Sequence, residues 1–433
     1  MMIKVRCTLE LMWRISVAKS REEEMNKELV AKDVINGLKA DLRKNDAGLF
    51  IKSFEDESKK SELIDKLHEL APEIMSDPAM KEYVIQELMG LGLIERIKKD
   101  KSVTDIGFNG TDLIVEANNK PKERYDIADI PTDYFDRLIQ SFATDEDKEF
   151  NSNHPILSAA VDDIRLSAVH PHNAHYGPTL SMRVLSKRLV IDDNAFVEIA
   201  SEEVSNLLKS LIKVGCSTLI AGPTGTGKTE LQKYLTSPIP FEERIISIEE
   251  EMETFMKELY PEKDIYSWRT RENLTQSDLI KAAMRNHAVW IMPTELLGSE
   301  AYEAVEATIT GHHVISSLHS SSTKTIPRRM FYMAGQGRNI NESTFLQDFF
   351  DGFQIGIHVT KIYINGIPFR YIDEIAEYTP KQEINILFKK NVLHDGRERI
   401  EYGRISSDLE LKLSDAGVQI PSCFVDPIEE KVL

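Results

Sequence analysis

Residues Gly222 to Thr229 read GPTGTGKT, between the apolar run Cys216 to Ala221 and the helix-prone stretch Glu230 to Leu235. Element types and spacing predict the strand, glycine loop and helix of a P-loop, and so an α/β core around a phosphate-binding turn. Gly222, Gly225 and Gly227 allow the tight turn that aims backbone N–H groups inward, so that a β-phosphate sits in a nest of donors at a helix N-terminus. The expected contact set is therefore Gly222, Pro223, Thr224, Gly225, Thr226, Gly227, Lys228, Thr229 and Glu230. Lys228 is expected to reach the β- and γ-phosphates of ATP, and the Thr229 hydroxyl to hold Mg²⁺. The bland alternative is a glycine-rich turn that binds nothing; the lysine and threonine at the required places argue against it.

The 433 residues leave room for two or three domains. No stretch approaches the roughly 20 uninterrupted apolar residues of a membrane span. Glu10 and Arg14 interrupt the apolar segment Leu9 to Val17, so neither a signal peptide nor an anchor is expected, and Met25 offers an alternative start. Cys7, Cys216 and Cys423 are far apart and lack metal-ligand spacing, which fits a reducing compartment. A formal charge of −18 argues against a broad electrostatic grip on nucleic acid.

From Glu22 to about Lys101 apolar residues such as Val84, Leu88, Leu91 and Ile94 recur at helical spacing. Short apolar runs at Asp105 to Phe108 and Leu113 to Glu116 then predict a strand, turn and strand. A mixed region bearing the stretch His170 to Pro178 follows. From Ser201 onward helices alternate with expected strands at Cys216 to Ala221, Arg244 to Ile248, Val289 to Met292 and Val314 to Leu318, the pattern of a parallel sheet. Ile355 to Tyr363 and Phe369 to Glu377 predict an antiparallel hairpin.

A P-loop hydrolase needs acidic groups near the γ-phosphate. Glu249 to Glu253, after one strand, and Glu295, after another, are plausibly placed, because open α/β sheets bind ligands outside the carboxyl ends of their strands. An acidic cluster after a strand is more often a solvated loop or helix start. The segment Thr310 to His319 brackets a strand with His312, His313 and His319; histidines in such positions usually pack or face solvent.

The order of P-loop, acidic cluster, strand ending in glutamate, and Gly-His, strand, His resembles the secretion ATPase superfamily of type II and type IV secretion, conjugation and type IV pili. Its members carry a Walker A loop, an Asp box, a Walker B segment and a His box. Gly90 to Glu95 followed by Asp100 to Ile106, with Asn109 and Gly110, is similar to the entry of the N-terminal domain in the CpaF/VirB11-like branch. Asp163 to Val169 and Gly177 to Arg183 resemble the end of that domain, and Glu374 to Glu377 the family's closing core strand. The resemblance covers roughly Leu88 to Glu377.

That resemblance implies a RecA-like ATPase core over 194–402, a smaller α+β N-terminal domain over 88–193, an N-terminal helical region over 1–87 and a tail over 403–433. It implies catalytic roles for Lys228, for Glu295 as the Walker B glutamate and for Glu253 as the carboxylate that activates water. Glu249 and Glu250 would support the metal shell with Thr229 and Glu295. Arg165, Arg183, Arg285, His312 and His319 would contact nucleotide, although each arginine could equally be a surface ion pair. The chain would form a cytoplasmic homo-hexameric ring, peripheral at the inner face of the cell membrane. It would dock on inner-membrane components of a secretion, conjugation or pilus machine, with no direct nucleic-acid partner.

Thr294 stands where the family has glycine, Leu297 where many relatives have arginine, His287 and Ala288 where Pro-Asp is usual, and Glu250 where the Asp box has aspartate. Thr294 is expected to crowd Glu295 or redirect it, giving slow turnover. The rival readings are a catalytically weak nucleotide-binding scaffold or switch, and a nucleic-acid motor that the acidic composition disfavours.

Overall fold

The computed structural model describes residues 30, 32–46, 49, 57–89, 93–128, 130, 134–161, 163–271, 273–393, 397–426 and 431–432. Cys7, Leu9 to Val17, Met25 and the Gly90 to Gly92 part of the resemblance lie outside them. The chain divides into two compact units at the Val103–Thr104 junction.

The first unit is helical, with helices over Lys32–Asn45, Glu57–Leu70, Pro72–Ser76, Pro78–Met89 and Leu93–Lys98. Leu42, Leu63, Leu67, Met75 and Val84 form its core, each at most 1 % exposed. Pro72 opens its short helix at the first turn, where the missing N–H costs nothing.

The second unit begins with a six-stranded sheet. Its strands are β1 (Val103–Phe108), β2 (Leu113–Ala117), β3 (Glu123–Tyr125), β4 (Ile156–Val161), β5 (Ile164–Val169) and β6 (Thr179–Val184), in the order β3-β2-β1-β6-β5-β4. The helix Tyr134–Asp145 buries Phe135, Leu138, Ile139 and Phe142 on one face, and Phe135 stacks on Phe108 with ring centroids 3.8 Å apart.

A ten-stranded sheet follows. Its strands are β7 (Thr218–Ala221), β8 (Ile245–Glu249), β9 (Ile265–Arg269), β10 (Trp290–Pro293), β11 (His313–Leu318), β12 (Ile355–Ile364), β13 (Ile367–Tyr378), β14 (Ile384–Val392), β15 (Glu398–Tyr402) and β16 (Lys431–Val432). They run in the order β16-β15-β14-β13-β12-β7-β11-β10-β8-β9. Strands β9, β8, β10, β11, β7 and β12 are mutually parallel, and β12 to β16 continue as an antiparallel meander.

Successive side chains of the parallel strands enter opposite cores. Ile220, Ile245, Trp290 and Ile315 join one; Leu219, Ile246, Ile291 and Val314 join the other. Burial on both faces explains why these strands are near-continuous apolar runs, interrupted by buried Ser247 in β8 and by Ser316 and Ser317 in β11. The segment after Tyr402 is built into the same unit: Leu409, Leu413 and Phe424 complete the first core, and Ser406 caps the helix Ser407–Asp415 by accepting from the Leu409 N–H at 3.2 Å.

Candidate functional site

Strand polarity gathers the chemistry. Strands β7, β8, β10 and β11 are parallel, so the segments leaving their carboxyl ends meet at one sheet edge: the P-loop after Ala221, the acidic loop after Glu249, Thr294 and Glu295 after Pro293, and His319 after Leu318.

Within the P-loop, Gly222, Gly225 and Gly227 have φ of 152°, 74° and 92°, in or bordering the left-handed range that glycine enters without penalty. Gly227 is the N-cap of the helix Lys228–Thr236, which carries Lys228, Thr229 and Glu230 in its first turn. The Lys228 ammonium is buried; it donates to the carbonyls of Gly222 at 3.1 Å and Pro223 at 3.3 Å and lies 3.8 Å from a Glu295 carboxylate oxygen. Burial lowers its pKa below the ordinary lysine value, the charge of Arg183 acts in the same sense, and Glu295 opposes both. His319 bridges the parts, its Nδ1 3.1 Å from the Gly222 carbonyl and its Nε2 3.0 Å from Glu295.

Thr294, expected to crowd Glu295 or redirect it, is engaged by β8: its N–H and hydroxyl both donate to the Ile248 carbonyl, at 2.9 and 3.2 Å, which fixes the side chain against that strand. Leu297 is exposed, with its N–H donating to Glu300.

The acidic loop is internally fastened. Glu249 is buried and accepts from Ser247 at 3.2 Å, from the backbone N–H groups of Glu253 at 2.7 Å and Thr254 at 3.3 Å, and from the Thr254 hydroxyl. Both of its carboxylate oxygens are thus engaged in holding the loop in shape, where the metal-shell expectation had placed a ligand. Glu250 is exposed, and its carbonyl accepts from the Arg269 Nε at 3.2 Å. Among the described residues no group of three or more His, Cys, Asp or Glu side chains is arranged to hold a metal ion unaided. Glu249→Gln should therefore lower stability by about 1–3 kcal/mol through the bonds it loses. Urea unfolding checks this; an unchanged midpoint with an altered Mg²⁺ requirement would return Glu249 to the metal.

Glu253 is buried and ion-paired with Arg165, which stands on β5 directly across from Arg183 of β6. Arg183 in turn lies 3.4 Å from Asp105 on β1. Burial pushes the Glu253 carboxyl above its ordinary range; Arg165 and Arg183 pull it back and Glu249 reinforces the rise. The six-stranded sheet thus presents two guanidinium groups to the carboxyl edge of the larger sheet.

Two expected residues stand elsewhere. Arg285 ends the helix Gln276–Met284 ahead of β10 and is exposed, and His312 precedes β11 with Nδ1 2.8 Å from the Ala288 carbonyl. Both lie at the amino edge of parallel strands, opposite the P-loop, so the structure does not bring them to this site.

Glu251 falls in the acidic segment picked out in the sequence, but its partners and two residues of the P-loop helix, Gln232 and Lys233, carry no signature there. Glu251 is buried between Lys148, at 2.9 Å, and Arg269, which also binds Glu146 at 2.7 Å. This cluster ties the acidic loop to the end of the helix Tyr134–Asp145. Buried Gln232 donates to the carbonyls of Pro293 at 3.1 Å and Ile315 at 3.0 Å, holding the P-loop helix to β10 and β11. Lys233, 1 % exposed, donates to Ser186 at 3.2 Å and to Glu230 at 2.8 Å, and so fastens the segment after β6 to the same helix.

The family described as "Type II/IV secretion system protein" matches residues 154–347. An uncharacterized protein of Bacillus anthracis is 36 % identical over 364 residues, which span 81 % of this chain and 82 % of that one. The type IV secretion system protein VirB11 of Brucella suis is 24 % identical over 274 residues, 55 % of this chain and 75 % of that protein. In fold, the chain is similar to the ATPase DotB of Yersinia pseudotuberculosis, with a TM-score of 0.51 at 14 % identity over 68 % of this chain and 80 % of that one. The α/β fold has a RecA-like core, as the motif order implied. Its extent of identity to these relatives, with the family match over the P-loop and both acidic segments, means that the chain belongs to the type II/IV secretion ATPase superfamily.

Proposed function

We propose that the chain is a ring-forming ATPase that powers a type IV secretion, conjugation or pilus-assembly machine by ATP-driven domain motion. The observation that supports this most is the convergence of Lys228, His319, Glu295 and the Arg165–Glu253 pair at one edge of the parallel sheet. On this reading Lys228 and the P-loop amides bind the phosphates of ATP, and Thr229 holds Mg²⁺, which supplies charge neutralisation at the transferring phosphoryl group. Glu295 orders the water around that site, Glu253 orients and deprotonates the attacking water, and Arg165 and Arg183 reach phosphate from the smaller sheet. Arg165 then exchanges a carboxylate for a phosphate, which favours closure of the smaller sheet over the larger.

The assembled form is a homo-hexamer in the cytoplasm, peripheral at the inner face of the cell membrane and docked on inner-membrane components of the machine. No helix among the described residues is long and apolar enough to cross a membrane, which is compatible with that arrangement.

The test is steady-state hydrolysis of ATP with Mg²⁺ by the full chain, with Lys228→Ala and Glu295→Gln as controls and assembly followed by light scattering. Turnover in a hexamer-sized species, lost in both variants, is the expected result. Nucleotide binding without turnover in a folded, assembled sample would replace the motor with a nucleotide-binding scaffold or switch.

A further inference from the structure

The P-loop is gripped from outside by the β12–β13 hairpin. His358 of β12 is in register with Ala221, the residue before the loop, and a Cβ at Gly222 would lie 2.2 Å from the Val359 carbonyl oxygen, so loop and strand are in backbone contact. Two positions along, Lys361 of β12 pairs with Arg370 of β13. The Arg370 Nε donates to the Gly225 carbonyl at 2.8 Å, and its Nη1 donates to the Asn118 side-chain oxygen at 3.0 Å. Asn118 follows β2 in the six-stranded sheet that also carries Arg165 and Arg183.

The carbonyl chosen matters. In a planar trans peptide the C=O and the next N–H point in opposite directions. Gly225, at φ 74°, has a freedom at this peptide that other residues lack. With the Gly225 carbonyl drawn toward the hairpin, the Thr226 N–H is turned the other way, into the turn. Released, this peptide can flip, and the loop then offers a phosphate an acceptor where it needs a donor.

We infer that Arg370 is a positioning residue that sets the phosphate-receiving conformation of the P-loop and, through Asn118, links that conformation to the six-stranded sheet. This rests on the nucleotide reading above. It deepens that reading: the sheet carrying Arg165 and Arg183 has a second line to the site, acting on the phosphate nest rather than on the acidic loop. A planar five-donor fork suits two acceptors at an angle; an ammonium does not, so lysine is a poor replacement.

The experiment uses the full chain with two readouts: titration with a fluorescent N-methylanthraniloyl-ADP, and amide hydrogen exchange over 222–229 without nucleotide. Arg370→Gln should weaken ADP binding about tenfold, the effect of one lost charge-assisted hydrogen bond, and speed exchange at Thr226 and Gly227. Arg370→Lys should restore neither. Asn118→Ala should give a smaller effect on both readouts, and that effect should vanish in the Arg370→Gln background, because the two act as one unit. Unchanged exchange and affinity in Arg370→Gln, beside weakened binding in Lys228→Ala, would overturn the inference. So would additive Asn118 and Arg370 effects, which would remove the link to the sheet. A parent chain that binds no nucleotide would sink the functional reading instead, while loop exchange would still decide the role of Arg370.

Discussion

Glu253→Gln should slow ATP hydrolysis by about 10²–10⁴-fold, the span of a lost general base, while leaving nucleotide affinity close to that of the parent chain. Glu253 makes no bond to the P-loop; its carboxylate is buried against Arg165. Burial raises its pKa despite the opposing charges of Arg165 and Arg183, which brings the carboxylate nearer the poise a base needs. The acid limb of the parent's pH–rate profile should therefore lie above 4.5, the ordinary glutamate value, and should disappear in the glutamine variant. Stability carries a matching signature. A carboxyl whose folded pKa is raised contributes stability that is fully present below the unfolded value and is lost as pH rises through the folded value. Urea midpoints should thus fall for the parent relative to Glu253→Gln as pH rises from 4.5. A variant that hydrolyses ATP at the parental rate would transfer the base role to Glu295.

Arg165 gives that prediction a second consequence. In the structure it pairs with the carboxylate proposed as base, so on that proposal the guanidinium would have to release Glu253 before water could be deprotonated. A γ-phosphate would offer it a partner in a fork geometry, so the proposed base would be freed only with nucleotide bound. The neighbouring Glu251 cluster is built differently: Lys148, Arg269 and Glu146 hold one another as well as Glu251, so that contact can persist while Arg165 exchanges partners.

Those parts of fold and site that depend on short-range chemistry were legible in the chain. Strands β7, β8, β10 and β11 are buried on both faces and read as apolar runs, and their carboxyl ends gather Lys228, Glu295 and His319 as the motif order implies. Strand β9, an edge strand with exposed Tyr266, strand β14, whose short apolar run Ile386 to Phe388 is flanked by Asn385, Lys389 and Lys390, and strand β15, where Ile400 and Tyr402 stand among Glu398, Arg399 and Glu401, lack that signal. Arg165 and Glu253 are 88 residues apart, and nothing local joins them. Arg285 and His312 show a different failure. Each adjoins a strand that feeds the site, but each precedes its strand; in a parallel sheet that assigns it to the amino edge, about a strand length from the phosphates. Motif membership alone treats His312 and His319 alike, and strand direction separates them.

Direction and contact separate the glycines as well, with an effect comparable to that at Glu253. Gly222→Ala should weaken nucleotide binding by at least about 100-fold, the loss expected when about two charge-assisted hydrogen bonds from the phosphate nest are given up. At Gly222 an added Cβ would lie 2.2 Å from the Val359 carbonyl oxygen and 3.0 Å from its Cγ2, and the first of these is strand backbone with no way to yield. The loop would have to leave β12, carrying Lys228 and the Gly222 carbonyl that His319 meets. Gly227→Ala is the control: φ is 92° there, but an added Cβ meets nothing within 4 Å, so the cost is backbone strain of about 1–3 kcal/mol with the loop kept in place. Titration with fluorescent ADP and urea unfolding of both variants separate the two effects. Gly222→Ala should lose affinity well beyond its loss of stability, and Gly227→Ala should lose stability with a smaller change in affinity. Parental affinity in Gly222→Ala would mean that loop and hairpin are not in the contact described, and the backing of the phosphate nest by β12 would fall with it.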